Sequence, residues 1–177
     1  MQTRRYFLKN ASFAGTALAA GRLSGRLAAA QTETSVTRIY VDPAQKIAPL
    51  DRKIFGSFVE HLGRSVYGGI YEPGSKLSDP ATGFRKDVLE EVRKLRVPII
   101  RYPGGNFVSG YNWLDGVGPK DKRPTVLDRA WNTIEPNQFG TNEFIQWCRA
   151  VEAEPLLGLN LGTGTPEMAA ALVEYCN

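Results

Sequence analysis

The sequence predicts an α/β fold built on a parallel sheet, because short apolar segments alternate with amphipathic ones from Ile54 onward. Polar side chains follow each predicted central strand: Glu60, Arg101 with Asn106, and Asn160. The carboxyl ends of parallel strands meet at one edge, where both (β/α)8 barrels and doubly wound sheets bind ligands. The alternation therefore predicts a ligand site, and it leaves both architectures open.

The strands and helices are predicted in order from hydrophobic periodicity. Four segments are typical of strands: Val36–Val41, Ile54–Glu60, Val97–Ile100 and Pro155–Asn160. Three segments are typical of helices: Phe84–Leu95, Thr141–Ala153 with Thr141 or Asn142 as its cap, and Pro166–Cys176. Tyr111–Gly140 is predicted to be a long loop, and loops of this length inside a domain usually carry function.

The N-terminal residues 1–30 resemble an export signal. Thr3–Lys9 (TRRYFLK) is similar to a twin-arginine motif, a small apolar stretch covers Ala11–Ala20, and Ala28–Ala30 offers a cleavage site. The apolar stretch is too short to span a bilayer stably. We therefore predict a twin-arginine signal peptide over residues 1–30 and a periplasmic or secreted protein. The alternative is a basic N-terminus without a targeting role.

The basic character of the chain resides in this leader. Residues 1–30 hold five of the Lys and Arg residues and no acidic residue, which accounts for the whole formal net charge of +4. No basic run with interleaved aromatic residues follows, so nucleic-acid binding is not predicted. A single histidine, His61, and two cysteines give no metal-ligand cluster. An exported location permits a disulfide between Cys148 and Cys176, but two buried free thiols are the preferred prediction.

The segment Arg101–Trp113 (RYPGGNFVSGYNW) is the clearest candidate for a binding surface. Its Gly-Gly pair allows a close backbone approach to a ligand, and Arg101 and Asn106 supply hydrogen-bond donors. A plain turn with a surface ion pair explains the same residues. The role of Glu60 is also undecided at this point. In a functional role it anchors a ligand or acts as a general base, and in a structural role it is solvated or pairs with Arg64 or Arg101.

Further polar and aromatic residues are assigned from their predicted positions. Asn142-Glu143 lies at the start of a helix, where a glutamate favours the helix dipole, so we predict a structural role. Trp113 and Trp131 lie in or beside the long loop and serve either as a sugar platform or as core residues. Trp147 falls on the apolar face of a helix and is predicted to be core.

Taken together, these segments resemble the α-L-arabinofuranosidases of glycoside hydrolase family 51. The resemblance runs from about Thr37 to the end of the chain and rests on long segments in the family's order. They are Gly56–Arg64 (GSFVEHLGR), Val66–Gly74 (VYGGIYEPG), Gly83–Val88 (GFRKDV), Arg101–Trp113, Asp115–Pro119 (DGVGP), Arg123-Pro124, Ala130-Trp131, Asn137–Phe144 (NQFGTNEF), Asn160–Thr163 (NLGT) and Leu172–Asn177 (LVEYCN). Departures at Ser75-Lys76 and Gly164–Pro166 fall in loops.

The resemblance implies an incomplete chain. Residues 49–177 would be the first three βα units of a (β/α)8 TIM barrel, and residues 31–48 a linker and one strand of a β-sandwich. The family's reaction is the release of terminal non-reducing α-L-arabinofuranosyl groups from arabinoxylan, arabinan or their oligosaccharides, with retention and without a cofactor or metal. A homo-oligomer, often a hexamer in the family, is implied for the full-length form.

The resemblance also assigns the binding residues. Glu60, Arg101, Asn106 and Trp131 match residues that line the furanose pocket, with Arg101 also beside a catalytic carboxylate. The nucleophile and the acid/base are glutamates of later barrel strands, so we expect them beyond Asn177 and expect the 177 residues alone to be inactive. The alternatives are an endo-acting glucanase or xylanase of the same family, or a non-catalytic carbohydrate-binding pseudoenzyme.

Overall fold

The structure is a computed structural model that describes residues 37–177. The predicted signal peptide, and the first residue of the predicted strand Val36–Val41, lie outside the described residues. Residues 37–41 are exposed and form neither helix nor strand, and a lone strand is unstable without a paired neighbour. The chain divides into two units, Met1–Lys46 and Ile47–Asn177, and the second contains every element described below.

The second unit has strands and helices in alternation, joined by loops that contain short 3₁₀ helices. In chain order the elements are β1 (Ser57–Phe58), α1 (Lys86–Leu95), β2 (Ile99–Tyr102), β3 (Val126–Asp128), β4 (Thr133–Glu135), α2 (Thr141–Val151), β5 (Glu154–Leu157) and α3 (Pro166–Cys176). Strands β1, β2 and β5 form one parallel sheet in that order, whereas β3 and β4 form a separate antiparallel hairpin. The predicted α/β class and parallel sheet are therefore confirmed.

The two faces of the parallel sheet differ in their burial. On one face, Ile100 and Tyr102 of β2 pack with α2, where Phe144 and Trp147 are buried, and the Tyr102 and Phe144 rings stack at 4.7 Å. Residues Phe58, Arg101 and Leu156 stand in one row across the sheet. In that row the exposed fractions of Phe58 and Leu156 are 54% and 47%, so the second face of the sheet is open over the described residues.

Several predicted element boundaries were wrong. The apolar pair Ile54-Phe55 belongs to a 3₁₀ helix, Arg52–Phe55, because the Asp51 carboxylate accepts the backbone N–H of Lys53 and starts a helical turn. Strand β1 is consequently limited to Ser57–Phe58. Strand β2 begins and ends two residues later than predicted, and β5 ends at Leu157, before the asparagine that was expected to finish it.

The helices agree more closely with the predictions, apart from one cap. Helix α3 has the predicted bounds, and the Thr165 hydroxyl accepts the backbone N–H of Met168. The cap of α2 is Gly140 and not Thr141 or Asn142. Its N–H donates to the Glu143 carboxylate at 3.0 Å, which is the N3 side-chain contact of a capping box.

The predicted long loop, Tyr111–Gly140, is an ordered segment that contains the hairpin β3–β4. Short 3₁₀ helices at Trp113–Gly116 and Lys120–Lys122 precede the hairpin. Their positions bring the hairpin beside the carboxyl ends of β1 and β2, as the contacts below demonstrate. Within residues 37–177, no helix is both long enough and apolar enough to cross a membrane.

Candidate functional site

Glu60 follows β1, and its carboxylate accepts three hydrogen bonds at this edge of the sheet. Its Oε1 atom accepts the backbone N–H groups of Asn106 at 2.8 Å and Phe107 at 3.2 Å, and the indole N–H of Trp131 at 2.8 Å. The residue is 8% exposed, and it pairs with neither Arg64 nor Arg101. Its Oε2 atom accepts no hydrogen bond from the described residues, so one oxygen is held by the protein and the other keeps its acceptor capacity.

Gly105 lies directly against this carboxylate. Its φ of +58° is in the left-handed region, and a Cβ added there would overlap the Glu60 carboxylate. The adjacent backbone N–H groups can therefore reach Oε1 only because residue 105 has no side chain. The Gly-Gly pair in the sequence was expected to allow a close backbone approach to a ligand, and here the group approached is a protein carboxylate.

Trp131 reaches Glu60 from the turn of the β3–β4 hairpin. Asp128 shapes that turn, because its two carboxylate oxygens accept the backbone N–H groups of Ala130 and Trp131, each at 3.0 Å. The indole is partly exposed, with its N–H directed at Oε1 of Glu60. Trp131 thus lies at the edge of the site, where an aromatic face is available to an apolar sugar face.

Arg101 lies in β2 and Asn106 in the turn that follows it, and the side chains of both make no hydrogen bond with the described residues. The guanidinium carbon of Arg101 lies 5.4 Å from the centre of the Phe58 ring, and no carboxylate among the described residues pairs with it. Asn106 is exposed, and its contact with Glu60 is made by its backbone N–H. The structure therefore brings Glu60, Asn106 and Trp131 together by direct contact and places Arg101 on the strand beside them.

His61, next to Glu60, is part of a buried hydrogen-bond network that the sequence did not reveal. Its Nδ1 atom lies 2.6 Å from Glu135 Oε2, and its Nε2 atom lies 3.1 Å from the hydroxyl oxygen of Tyr102. The other oxygen of Glu135 accepts the hydroxyl of Tyr67 and the backbone N–H of Asn137. The side chains of His61 and Glu135 are only 3% and 4% exposed.

Buried polar groups of this network are hydrogen-bonded to one another. Burial raises the pKa of Tyr102 well above its usual value, so its hydroxyl keeps its proton and donates it to the carbonyl oxygen of Phe139 at 3.0 Å. Nδ1 of His61 faces a carboxylate oxygen of Glu135 and donates to it, and Nε2 lies against the Tyr102 hydroxyl, so both ring nitrogens are engaged in hydrogen bonds.

Trp113 belongs to a second apolar cluster and not to this site. It is 8% exposed, packs with Phe107, Tyr111 and Leu172, and donates its indole N–H to the carbonyl of Met168 at 3.0 Å. The sequence left a sugar platform and a core role open for both Trp113 and Trp131. The structure places Trp113 in the core. Trp147, at 2% exposed, is core as predicted.

Glu143 has the structural role that its position predicted. Arg123 binds both of its oxygens, each at 3.0 Å, and the Arg123 side chain is 3% exposed. Burial alone would raise the pKa of Glu143, but the Arg123 hydrogen bonds and charge and the Gly140 N–H together hold that pKa below its usual value. The pair fastens the segment before the hairpin to the first turn of α2.

A cavity of about 350 Å³ adjoins the β3–β4 hairpin. It is lined by polar and aromatic side chains that include Tyr111, Asn112, Asp115, Asp128 and Glu135. Burial raises the pKa of Asp115 within it. Among residues 37–177, no group of three or more histidine, cysteine or acidic side chains is arranged to hold a metal ion.

The cysteine prediction was correct for one residue and wrong for the other. Both thiols are free, but Cys148 is buried in the core whereas Cys176 is exposed near the end of α3. Burial raises the pKa of the Cys148 thiol to about 12.

Comparison with known proteins gives consistent matches to one group of enzymes. The sequence profile of the "Alpha-L-arabinofuranosidase 1 domain" matches residues 91–176. The chain is 60% identical over 140 residues to an intracellular exo-α-(1→5)-L-arabinofuranosidase of Acetivibrio thermocellus, and 52% identical over 146 residues to α-L-arabinofuranosidase C of Emericella nidulans. These matches cover 79% and 82% of the chain, and the chain spans 28% and 29% of the two relatives.

Solved structures give the same result. The chain superposes on the GH51 α-L-arabinofuranosidase of Thermotoga petrophila with a TM-score of 0.74 at 58% identity, covering 77% of this chain and 28% of that one. An α-L-arabinofuranosidase of Thermotoga maritima in complex with arabinose matches with a TM-score of 0.72 at 58% identity, covering 74% and 27% of the two chains. The similarity therefore extends over most of the described residues.

Proposed function

The chain belongs to the α-L-arabinofuranosidases of glycoside hydrolase family 51, and we propose that the protein is a glycosidase that releases terminal non-reducing α-L-arabinofuranosyl groups with retention. Its substrates are arabinoxylan, arabinan or oligosaccharides derived from them. Because the chain spans 28% of the Acetivibrio relative, the activity is proposed for the full-length protein that carries this sequence. In that protein the described residues supply one wall of the furanose pocket.

The arrangement of the Glu60 carboxylate carries this proposal. Its Oε1 atom is fixed by three N–H donors, whereas Oε2 is open and can accept a sugar hydroxyl. The indole of Trp131 stands beside it and offers an apolar face to the sugar ring. A polar anchor combined with an aromatic surface suits a small carbohydrate, which presents hydroxyl groups at its edge and C–H groups on its faces.

The catalytic carboxylates complete the proposed mechanism. Retention needs a nucleophile and an acid/base separated by about 5 Å, and we propose that both are glutamates beyond Asn177. Arg101 has no carboxylate partner among the described residues, so its guanidinium is free to lie beside one of them. A neighbouring positive charge favours the ionised form of a carboxylate and keeps a nucleophile ready to react.

The proposed architecture is a (β/α)8 barrel that begins with β1. The order β1, β2, β5 follows the order of the chain, as in a barrel, and the open face with Phe58 and Leu156 is the face that would point to its interior. The N-terminal strand in a β-sandwich and the homo-oligomeric state remain part of the proposal. Export to the periplasm or medium rests on the leader, residues 1–30, and it would distinguish this protein from the Acetivibrio relative, whose name includes "intracellular".

Hydrolysis of 4-nitrophenyl α-L-arabinofuranoside by the full-length protein tests the activity, and ¹H NMR of the first-formed sugar tests retention. Release of nitrophenol with the α-anomer formed first is expected. Binding of arabinose without turnover would instead indicate a carbohydrate-binding pseudoenzyme, and cleavage of internal bonds in xylan or β-glucan would indicate an endo-acting enzyme. The 177-residue chain assayed alone is expected to give no turnover.

A further inference from the structure

The hairpin that carries Trp131 is held in place by polar groups. The residue buried in strand β3 is Asp128 and the residue buried in β4 is Glu135, at 8% and 3% exposed. The large apolar residues of the same strands, Leu127 and Ile134, are 56% and 66% exposed. Because burial of apolar surface contributes little here, hydrogen bonds must determine where the hairpin lies against the sheet.

We propose that His61 and Glu135 are positioning residues that hold the hairpin so that the Trp131 indole remains bonded to Glu60. The effect on sugar recognition rests on the proposed function, whereas the effect on the hairpin does not. Neither residue is placed against the sugar. Both act through Trp131.

The geometry of two consecutive side chains carries this proposal. Glu60 contacts the turn of the hairpin through Trp131, and its neighbour His61 contacts the end of β4 through Glu135, at 2.8 and 2.6 Å. The segment that directly follows β1 therefore contacts the hairpin at two separate points. A shift at Glu135 would move the turn relative to Glu60, and the indole N–H would lose its acceptor.

His61 is itself firmly placed, which makes it a suitable reference for the hairpin. Its ring stacks on Phe107 with 4.2 Å between ring centres and 8° between the planes. Its Nε2 bonds Tyr102, which lies in β2 and is fully buried. The partner of Nδ1, the Glu135 carboxylate, also accepts the Tyr67 hydroxyl and the backbone N–H of Asn137. The Nδ1–Glu135 bond thus joins a fixed ring to an element that has few other anchors.

Two substitutions in the full-length protein separate this bond from the rest of the histidine. The amide nitrogen of Asn approximates the position of Nδ1, so His61→Asn retains a donor toward Glu135. The longer Gln approximates Nε2, so His61→Gln retains the bond to Tyr102 and loses the one to Glu135. We expect H61Q to lower kcat/KM on an aryl arabinofuranoside by about 10-fold or more, mainly through KM. We expect H61N to lose much less, because it retains the donor toward Glu135.

A double-mutant cycle with Trp131→Phe, which removes the indole N–H, tests whether His61 acts through Trp131. The loss caused by H61Q should largely disappear in the W131F background, because the contact to be positioned is already absent. Val151→Ala, which loosens buried packing in α2, is the control for general destabilisation and should lower the melting temperature without this coupling. Equal losses for H61N and H61Q, or additive losses for H61Q and W131F, would overturn the proposal.

Hydrogen–deuterium exchange gives a readout that is independent of activity. The peptide covering residues 126–135 should exchange faster in H61Q than in H61N or the unsubstituted protein, because the hairpin is released from β1. Unchanged exchange in H61Q would overturn the positioning role. A protein without arabinofuranosidase activity would refute the proposed function alone, since the exchange measurement would still decide the role of His61.

Discussion

The indole N–H of Trp131 and the Glu60 carboxylate meet at 2.8 Å, although the two residues are separated by 71 positions in the chain. Glu60 lies just after β1, the first strand of the sheet, and Trp131 lies in the turn of a hairpin that belongs to the connection between β2 and α2. Their contact joins a rigid strand end to an aromatic residue on a loop. This is the arrangement that binding sites at the carboxyl edge of a parallel sheet use.

Replacement of Glu60 by Gln should weaken sugar binding while the fold is retained. Gln keeps an oxygen that can accept N–H groups, but it removes the charge and places an NH2 group where the open oxygen now lies. Loss of one charge-assisted hydrogen bond to a sugar hydroxyl lowers kcat/KM by about 10- to 100-fold. Steady-state kinetics of the full-length protein on an aryl α-L-arabinofuranoside measure this change.

A control for E60Q is Glu91→Gln, on the exposed face of α1, where the side chain is 72% exposed. It removes the same charge at a position remote from any proposed sugar contact, so its kinetics should match those of the unsubstituted protein. Unaltered kcat/KM in E60Q would remove Glu60 from the proposed pocket.

Replacement of Gly105 by Ala should damage the site more than the backbone strain alone explains. An alanine Cβ would overlap the Glu60 carboxylate and force it away from the N–H groups of Asn106 and Phe107. Gly63→Ala is the matched control. Gly63 has a similar φ of +53°, but nothing lies within 4 Å of its added Cβ.

Both glycine substitutions carry the cost of a left-handed alanine, about 1–2 kcal/mol. We expect a larger fall in the melting temperature for G105A than for G63A, because G105A also disrupts the Glu60 hydrogen bonds, and a loss of kcat/KM for G105A alone. If the two variants lose the same catalytic efficiency, the close contact between Gly105 and Glu60 is irrelevant to the site.

The sequence allowed the helices, the parallel sheet and the position of the polar strand ends to be predicted, because each depends on local periodicity. Helix α3 was predicted with its bounds, since Thr165 and Pro166 mark its start. The segment Ile54–Glu60 was predicted as a longer strand than the one formed, because an apolar run does not reveal the competing turn that Asp51 starts.

The hairpin β3–β4 could not be predicted by the same reasoning. Its strands bury Asp128 and Glu135 and expose Leu127 and Ile134, which is the reverse of the pattern that identifies a half-buried strand. The role of His61 was hidden for a related reason: its partner Glu135 is 74 residues away in the chain. The available local signal was the β-branched pair Thr133-Ile134 after the turn residue Asn132, which is weak by itself.

Replacement of Arg123 by Met should destabilise the protein strongly without a direct effect on the sugar site. The guanidinium binds Glu143 at both oxygens and also the carbonyl groups of Gly118 and Asn137. Removing Arg123 leaves the largely buried Glu143 carboxylate with only the more distant Lys120, at 3.6 Å, as a counter-charge, which costs about 3 kcal/mol. Chemical denaturation of the full-length protein, followed by circular dichroism, measures the loss.

Lys122→Met is the control for R123M, because Lys122 is the exposed neighbour in the chain. Its free energy of unfolding should change by no more than about 0.5 kcal/mol. A comparable change in the two variants would contradict a special role for the Arg123–Glu143 pair.

The same ion pair predicts a specific dependence of stability on pH. In the folded protein the pKa of Glu143 lies below its usual value of 4.5, because the Arg123 hydrogen bonds and charge and the Gly140 N–H together outweigh the opposing effect of burial. A carboxylate whose pKa is lowered by folding contributes stability above its unfolded pKa, and that contribution is lost as the pH falls through the folded pKa. Glu143→Gln lacks this titration, so unfolding free energies of E143Q and the unsubstituted protein should differ by a constant amount at neutral pH and converge below pH 4.5. A difference between the two proteins that stays constant down to acid pH would mean that Arg123 does not stabilise the ionised form of Glu143.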